Sequence, residues 1–158
     1  MLKKVLSVAV LAVCASTAWA VDDTAALKKT MECAQTAKES SQCPYFTEFY
    51  ESDAKFKRHF DETLSESGVS LMKGPEGPME YVKINGQNYL SGFICEQHNC
   101  GNHKIVFLYE PALERVIGIY QPDGGQPSWI GIPTVLETQQ LIRAWAGEYV
   151  FILFNAPA

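Results

Sequence analysis

Apolar residues recur along the chain with two different periods, and the change falls near residue 80. Before it, the spacing is helical. Leu27, Met31 and Ala34 mark one face of a segment from Thr24 to about Lys38, with Thr24 as a candidate cap. Glu39-Ser40-Ser41-Gln42-Cys43-Pro44 breaks it. Phe46, Phe49, Phe56 and Phe60 continue the helical spacing, with charges between them, and predict one second helix from Phe46 to about Leu64. Such an aromatic stripe belongs in a core. His59 lies beside it and is expected in solvent. A turn-rich link, Ser65 to Pro78, follows, broken by Gly74-Pro75 and Gly77-Pro78.

Beyond residue 80 the pattern alternates. Tyr81 to Ile84, Asn85-Gly86 and Gln87 to Ile94 read as a hairpin, because both turn positions of Asn-Gly accept positive φ. His103 to Tyr109, Arg115 to Tyr120 and Ser128 to Ile132 read as three more strands, separated by Glu110–Glu114 and Pro122–Gly125. Pro133 and Thr134 open a last helix to about Ala146, with Leu141, Ile142 and Trp145 as its buried face and Gly147 as its stop. Tyr149 to Phe154 is apolar and fits either a final strand or a packed tail. The expected fold is α+β: a central antiparallel sheet of about five strands flanked by helices.

The first twenty residues stand outside this fold. Lys3 and Lys4 precede a short apolar run, and Ala18-Trp19-Ala20 is a small-x-small cleavage site, so residues 1–20 read as a signal peptide and 21–158 as one exported domain, in the bacterial periplasm. The apolar run is too short for a membrane span. Cys14 after Leu11-Ala12-Val13 approaches a lipidation signal, but Val13 is bulky where a small residue belongs. Without Lys3 and Lys4, 11 basic residues face 18 acidic ones, a net charge of −7. Such a chain is a poor nucleic-acid binder and a natural partner for a cationic protein, although solubility alone also accounts for the charge.

Four cysteines remain: Cys33, Cys43, Cys95 and Cys100. An even number in an oxidising compartment implies two disulfides, and three pairings are open. The local pairing, Cys33–Cys43 and Cys95–Cys100, closes two short loops at junctions of predicted elements and is the one expected. Cys95-Glu96-Gln97-His98-Asn99-Cys100 would then be a ring carrying a histidine. Cys95, His98, Cys100 and His103 are zinc-type ligands, yet the spacing lacks a C-x2-C knuckle and a disulfide removes both thiolates. No C-x-x-C redox site, haem site or Ser/His/Asp set is present, so no cofactor, no metal and no enzymatic activity is expected. A recognition loop remains. Closing six residues removes roughly 2 kcal/mol of open-state entropy and lowers the cost of ordering the loop on a partner. His98 either presents its two ring nitrogens to that partner or hydrogen-bonds its own loop.

At this loop the sequence resembles the Ivy family, periplasmic inhibitors of vertebrate (C-type) lysozyme, whose motif reads C-K-P-H-D-C followed by Gly. Here it stands as Cys95-Glu96-Gln97-His98-Asn99-Cys100-Gly101. The likeness extends to Met72-Lys73-Gly74, Asn85-Gly86, His103–Phe107, Gly118-Ile119-Tyr120 and Trp129-Ile130-Gly131, over roughly residues 55–135. The resemblance implies a loop that enters the lysozyme cleft, shaped by a Cys95–Cys100 bridge, with His98 meeting the two catalytic carboxylates. It also implies a homodimer as one state of the protein, and lytic transglycosylases as an alternative partner. Three positions depart from the motif. Glu96 replaces Lys and brings a negative charge near carboxylates, Gln97 replaces Pro and loosens the loop, and Asn99 replaces Asp and removes a partner for His98.

Overall fold

The computed structural model describes residues 24–155, with side chains through residue 147. The signal peptide expected at 1–20, and Cys14 within it, lie outside the described residues.

Among the described residues three α-helices precede the sheet: α1 (Ala25–Thr36), α2 (Phe46–Ser52) and α3 (Ala54–Glu66). The Thr24 hydroxyl caps α1 by accepting from the Leu27 N–H at 3.0 Å, and it donates to the Asp53 carboxylate. The Cys33–Cys43 disulfide ties α1 to the chain just beyond its end. The single helix expected from Phe46 to Leu64 is two helices, divided at Asp53. Asp53 ends α2 and caps α3, with Oδ1 accepting from the Phe56 N–H at 2.8 Å. Its carboxylate competes for backbone donors better than it continues a helix. The aromatic spacing from Phe49 to Phe56 runs straight across that break.

Five strands follow as an antiparallel meander in sequence order: β1 (Glu80–Ile84), β2 (Gln87–Cys95), β3 (Lys104–Glu110), β4 (Arg115–Gln121) and β5 (Ser128–Ile130). Asn85 and Gly86 both take positive φ, 47° and 83°, as a tight primed turn requires. The fold is therefore α+β, a five-stranded antiparallel sheet with helices on its faces. On one face Phe46, Phe49, Phe56 and Phe60 pack with Phe107 and Tyr109 of β3, their ring centroids 4.7 to 6.5 Å apart where they meet. On the other, Tyr89, Val106, Leu108 and Ile117 meet Leu141 of the last helix, α4 (Val135–Asn155). Every residue of β3 is buried, so the strand is the centre of both layers.

α4 opens with a capping box: the Thr134 N–H donates to Glu137 Oε2 at 2.6 Å, and the Glu137 N–H donates to Thr134 Oγ1. Glu137 is buried and also accepts from the Tyr89 hydroxyl at 2.7 Å and from Arg115, which reaches Glu110 as well. Two details of α4 differ from expectation. Gly147 does not stop it, because the helix runs on to Asn155 and Gly147 lacks the positive φ of a C-terminal glycine. One interior glycine costs only about 1 kcal/mol, less than several more turns can return. Ile142 is 52% exposed and lines a surface cleft with Trp129 and Ile119 at the edge of the sheet, whereas Leu141 is fully buried. His59 is not free in solvent either, since its Nε2 lies 2.8 Å from Glu114 Oε2. No helix among the described residues is long and apolar enough to cross a membrane.

Candidate functional site

The site is the connection between β2 and β3, the two strands with the most buried residues. Cys95 and Cys100 are bonded to one another, which leaves neither thiolate available. Among the described residues no cluster of His, Cys, Asp or Glu could hold a metal ion. The connection contains two successive turns, the first inside the ring and the second running out of it to residue 103. The Asn99 N–H donates to the Glu96 carbonyl at 3.0 Å, and His98, third in that turn, has φ of 65°. That is the backbone of a type II turn, whose third residue is left-handed. A left-handed residue other than glycine costs on the order of 1–2 kcal/mol, and histidine is among the side chains enriched there. The Asn99 carbonyl then accepts from the N–H of Asn102 at 3.0 Å and of His103 at 2.8 Å, forming the second turn.

The loop is braced from below. The Cys95 N–H donates to the Pro75 carbonyl at 2.9 Å, and the Gln97 N–H donates to the Lys73 carbonyl at 3.3 Å. Gly74 lies between these bonds. A Cβ there would sit 2.3 Å from the Cys95 oxygen and 2.4 Å from the Gln97 nitrogen. Gly74-Pro75, legible in the sequence as a chain break and, at Gly74, as part of the family likeness, is thus the floor of the loop.

Six residues were singled out in the sequence. Cys95 is buried, Cys100, Glu96 and Asn99 are half-buried, and Gln97 and His98 are exposed at the tip. The His98 ring has no hydrogen-bond partner among the described residues, so it is not spent on its own loop. Glu96 is different. Its Oε2 accepts from Asn99 Nδ2 at 2.8 Å and lies 3.0 Å from His103 Nδ1. These bonds, that from Asn99 first, hold the carboxyl below its ordinary range against a smaller opposing effect of desolvation. His103 Nε2 lies 3.2 Å from the Tyr120 hydroxyl on β4. Of this set, His103 is legible in the sequence as a strand residue, a possible metal ligand and part of the family likeness, and Tyr120 as a strand residue within that likeness, but nothing there pairs them. Their meeting depends on strand register, which places Tyr120 opposite Ile105.

The departures from C-K-P-H-D-C have local consequences. Proline would suit the second position of the type II turn. Gln97 forgoes that rigidity, but its N–H makes the bond to Lys73 that proline could not. Asn99 turns its amide to Glu96 and Asn102, away from His98. The Glu96 charge is turned to the base of the loop.

A search of curated proteins finds no match to the chain. A family model described as inhibitor of vertebrate lysozyme (Ivy) matches residues 56–148. That span is more than half of the chain and runs from α3 through the entire sheet and loop into α4. The chain belongs to the Ivy family, the inhibitors of vertebrate lysozyme.

Proposed function

We propose that the protein inhibits C-type lysozyme in the periplasm by inserting the Cys95–Cys100 loop into the enzyme's active-site cleft, with His98 as the contact to the catalytic carboxylates. The observation that carries this reading is the exposed His98 ring, unengaged by its own loop, on a left-handed residue inside a disulfide-closed turn. Carboxylates about 5 Å apart, as in a retaining glycosidase, can accept from both nitrogens of one protonated imidazole. The ring and its floor limit the entropy lost on docking. Net charge of −7 over residues 21–158 steers the protein toward a cationic enzyme. Both disulfides fit an exported protein, with residues 1–20 as the export signal and the remainder as one inhibitor domain. As a member of an inhibitor family, the chain acts by occupying a site and performs no turnover of its own.

The test is lysis of a cell-wall suspension by a vertebrate C-type lysozyme, with the oxidised mature protein and its His98→Ala variant. Stoichiometric inhibition by the parent is expected. Removing a central contact residue costs about 2 kcal/mol or more, so the variant should inhibit about thirtyfold less while melting as cooperatively as the parent. Equal inhibition by both proteins would refute loop insertion. No inhibition by the parent, together with inhibition of a lytic transglycosylase, would reassign the target.

A further inference from the structure

We propose that Glu96, Asn99, His103 and Tyr120 form a latch that positions the recognition loop, and that Glu96 serves by bonding across the neck of the loop rather than by touching the target. The proposal rests on the loop-insertion reading above.

The latch crosses the neck of the loop twice. The Glu96 N–H donates to the His103 carbonyl at 3.0 Å, and the two side chains meet at the same distance. The carboxylate accepts, so His103 Nδ1 carries a proton there. In the neutral ring Nε2 then accepts from the Tyr120 hydroxyl. Tyr120 fixes the assembly to β4, one strand beyond the strand that leaves the loop. Asn99 joins the two turns: its amide donates to Glu96 Oε2, its N–H to the Glu96 carbonyl, and its own carbonyl receives the Asn102 and His103 N–H groups.

Two residues of the ring, Gln97 and His98, are left exposed beyond these ties. Gln97 is itself held through its N–H by Lys73. The left-handed turn at His98 is therefore closed on one side by the Lys73–Pro75 floor and on the other by the latch. The disulfide joins residues 95 and 100 but leaves residues 101–103 unconstrained, and the latch constrains that outer part. The engaged Glu96 carboxylate also has an electrostatic consequence. Its charge is engaged by Asn99 and His103 instead of facing the carboxylates that His98 would meet.

The sign of one substitution separates this role from a contact role. Glu96→Gln in the full mature protein removes the charge at almost unchanged volume. If Glu96 faced target carboxylates, the variant would bind lysozyme more tightly. The latch predicts three- to tenfold weaker binding, mostly through faster dissociation, because the amide weakens the bonds to His103 and Asn99. Glu96→Ala and His103→Ala should each weaken binding about tenfold, and the double variant no more than either alone. His103→Asn, whose amide nitrogen can take the place of Nδ1, should recover most of the loss.

Hydrogen exchange of the Asn99, Asn102 and His103 amides in the free protein supplies a readout that needs no lysozyme. It should rise at least tenfold in Glu96→Ala and His103→Ala and remain near the parent value in His98→Ala. Unchanged exchange in Glu96→Ala, tighter binding by Glu96→Gln, or additive losses in the double variant would each overturn the latch. If His98→Ala binds lysozyme as the parent does, the insertion reading fails, while the exchange result still decides whether the latch exists.

Discussion

Gly74→Ala separates the floor of the loop from the rest of the scaffold. The new methyl would lie 2.3 Å from the Cys95 oxygen and 2.4 Å from the Gln97 nitrogen, both backbone atoms that no rotamer change can move. An ordinary contact needs about 1 Å more, so either the 73–75 segment or the loop must shift by roughly that amount. The Gln97–Lys73 bond is already 3.3 Å long and would break, and the Cys95–Pro75 bond would stretch from 2.9 Å. Losing one to two backbone hydrogen bonds costs about 1–3 kcal/mol, and residual overpacking adds about 1 kcal/mol. At roughly 3–5 °C per kcal/mol for a domain of this size, the midpoint should fall by about 6–20 °C. Gly101→Ala is the matched control in the same loop, because a Cβ there meets nothing within 4 Å and its φ is not left-handed. Calorimetry gives the midpoint and the lysis assay gives inhibition, which should drop at least tenfold for Gly74→Ala and less than threefold for Gly101→Ala. Equal midpoints and equal inhibition in the two variants would show that the floor bears no part of the loop's geometry.

Three further outcomes are expected from the scaffold and the loop. Phe56 is fully buried and meets Phe46, Phe49 and Tyr109, so Phe56→Ala should lower stability by about 4 kcal/mol, seen as a lower urea midpoint at an unchanged slope. Desolvation raises the Glu137 carboxyl, but hydrogen bonds from Thr134, Tyr89 and Arg115 outweigh it and leave the pKa below its ordinary 4.5. The unfolded chain then binds the proton first, so Glu137 contributes fully above about pH 4.5 and the contribution is lost as pH falls through the lower, folded value. The stability difference between the parent and Glu137→Gln should therefore shrink from pH 6 to pH 3 in urea titrations, and a constant difference would refute it. Gln97→Pro trades the Lys73 bond, worth about 1 kcal/mol, against a stiffer unfolded chain worth about 0.4–1 kcal/mol, so its melting midpoint should stay within a few degrees of the parent.

The sheet was legible because its signals are local. Asn85-Gly86 demands positive φ at both positions whatever surrounds it, and alternation with turn residues marks the strands to within one or two positions. The loop was legible for the same reason, since a cysteine spacing is a property of the chain alone. What escaped depends on competition or on register. At Asp53 a strong cap opposed a strong aromatic period, and counting the period concealed the cap. At Gly147 the reverse held: a stop residue was overruled by a helix whose opening turn is fastened by Glu137 to Tyr89 and Arg115. The Gly74 floor and the His103–Tyr120 contact join segments more than 15 residues apart, and the Glu96–His103 bond, only seven residues long, depends on how the loop folds back on its neck.

Those long-range contacts explain why this loop sits where it does. β2 and β3 are the most deeply buried neighbours in the meander, and their connection leaves the sheet from its least deformable part. A loop hung on edge strands would inherit their fraying. Here the strand ends are fixed by a core of aromatic rings on one side and by the anchored α4 on the other. The disulfide, the floor and the latch then have only nine residues, 95–103, to hold. Rigidity at the tip is thus a consequence of topology before it is a consequence of loop sequence. On that foundation Glu96, Gln97 and Asn99 depart from the motif yet supply their own ties, to His103, Lys73 and one another, that keep the exposed histidine in a fixed turn.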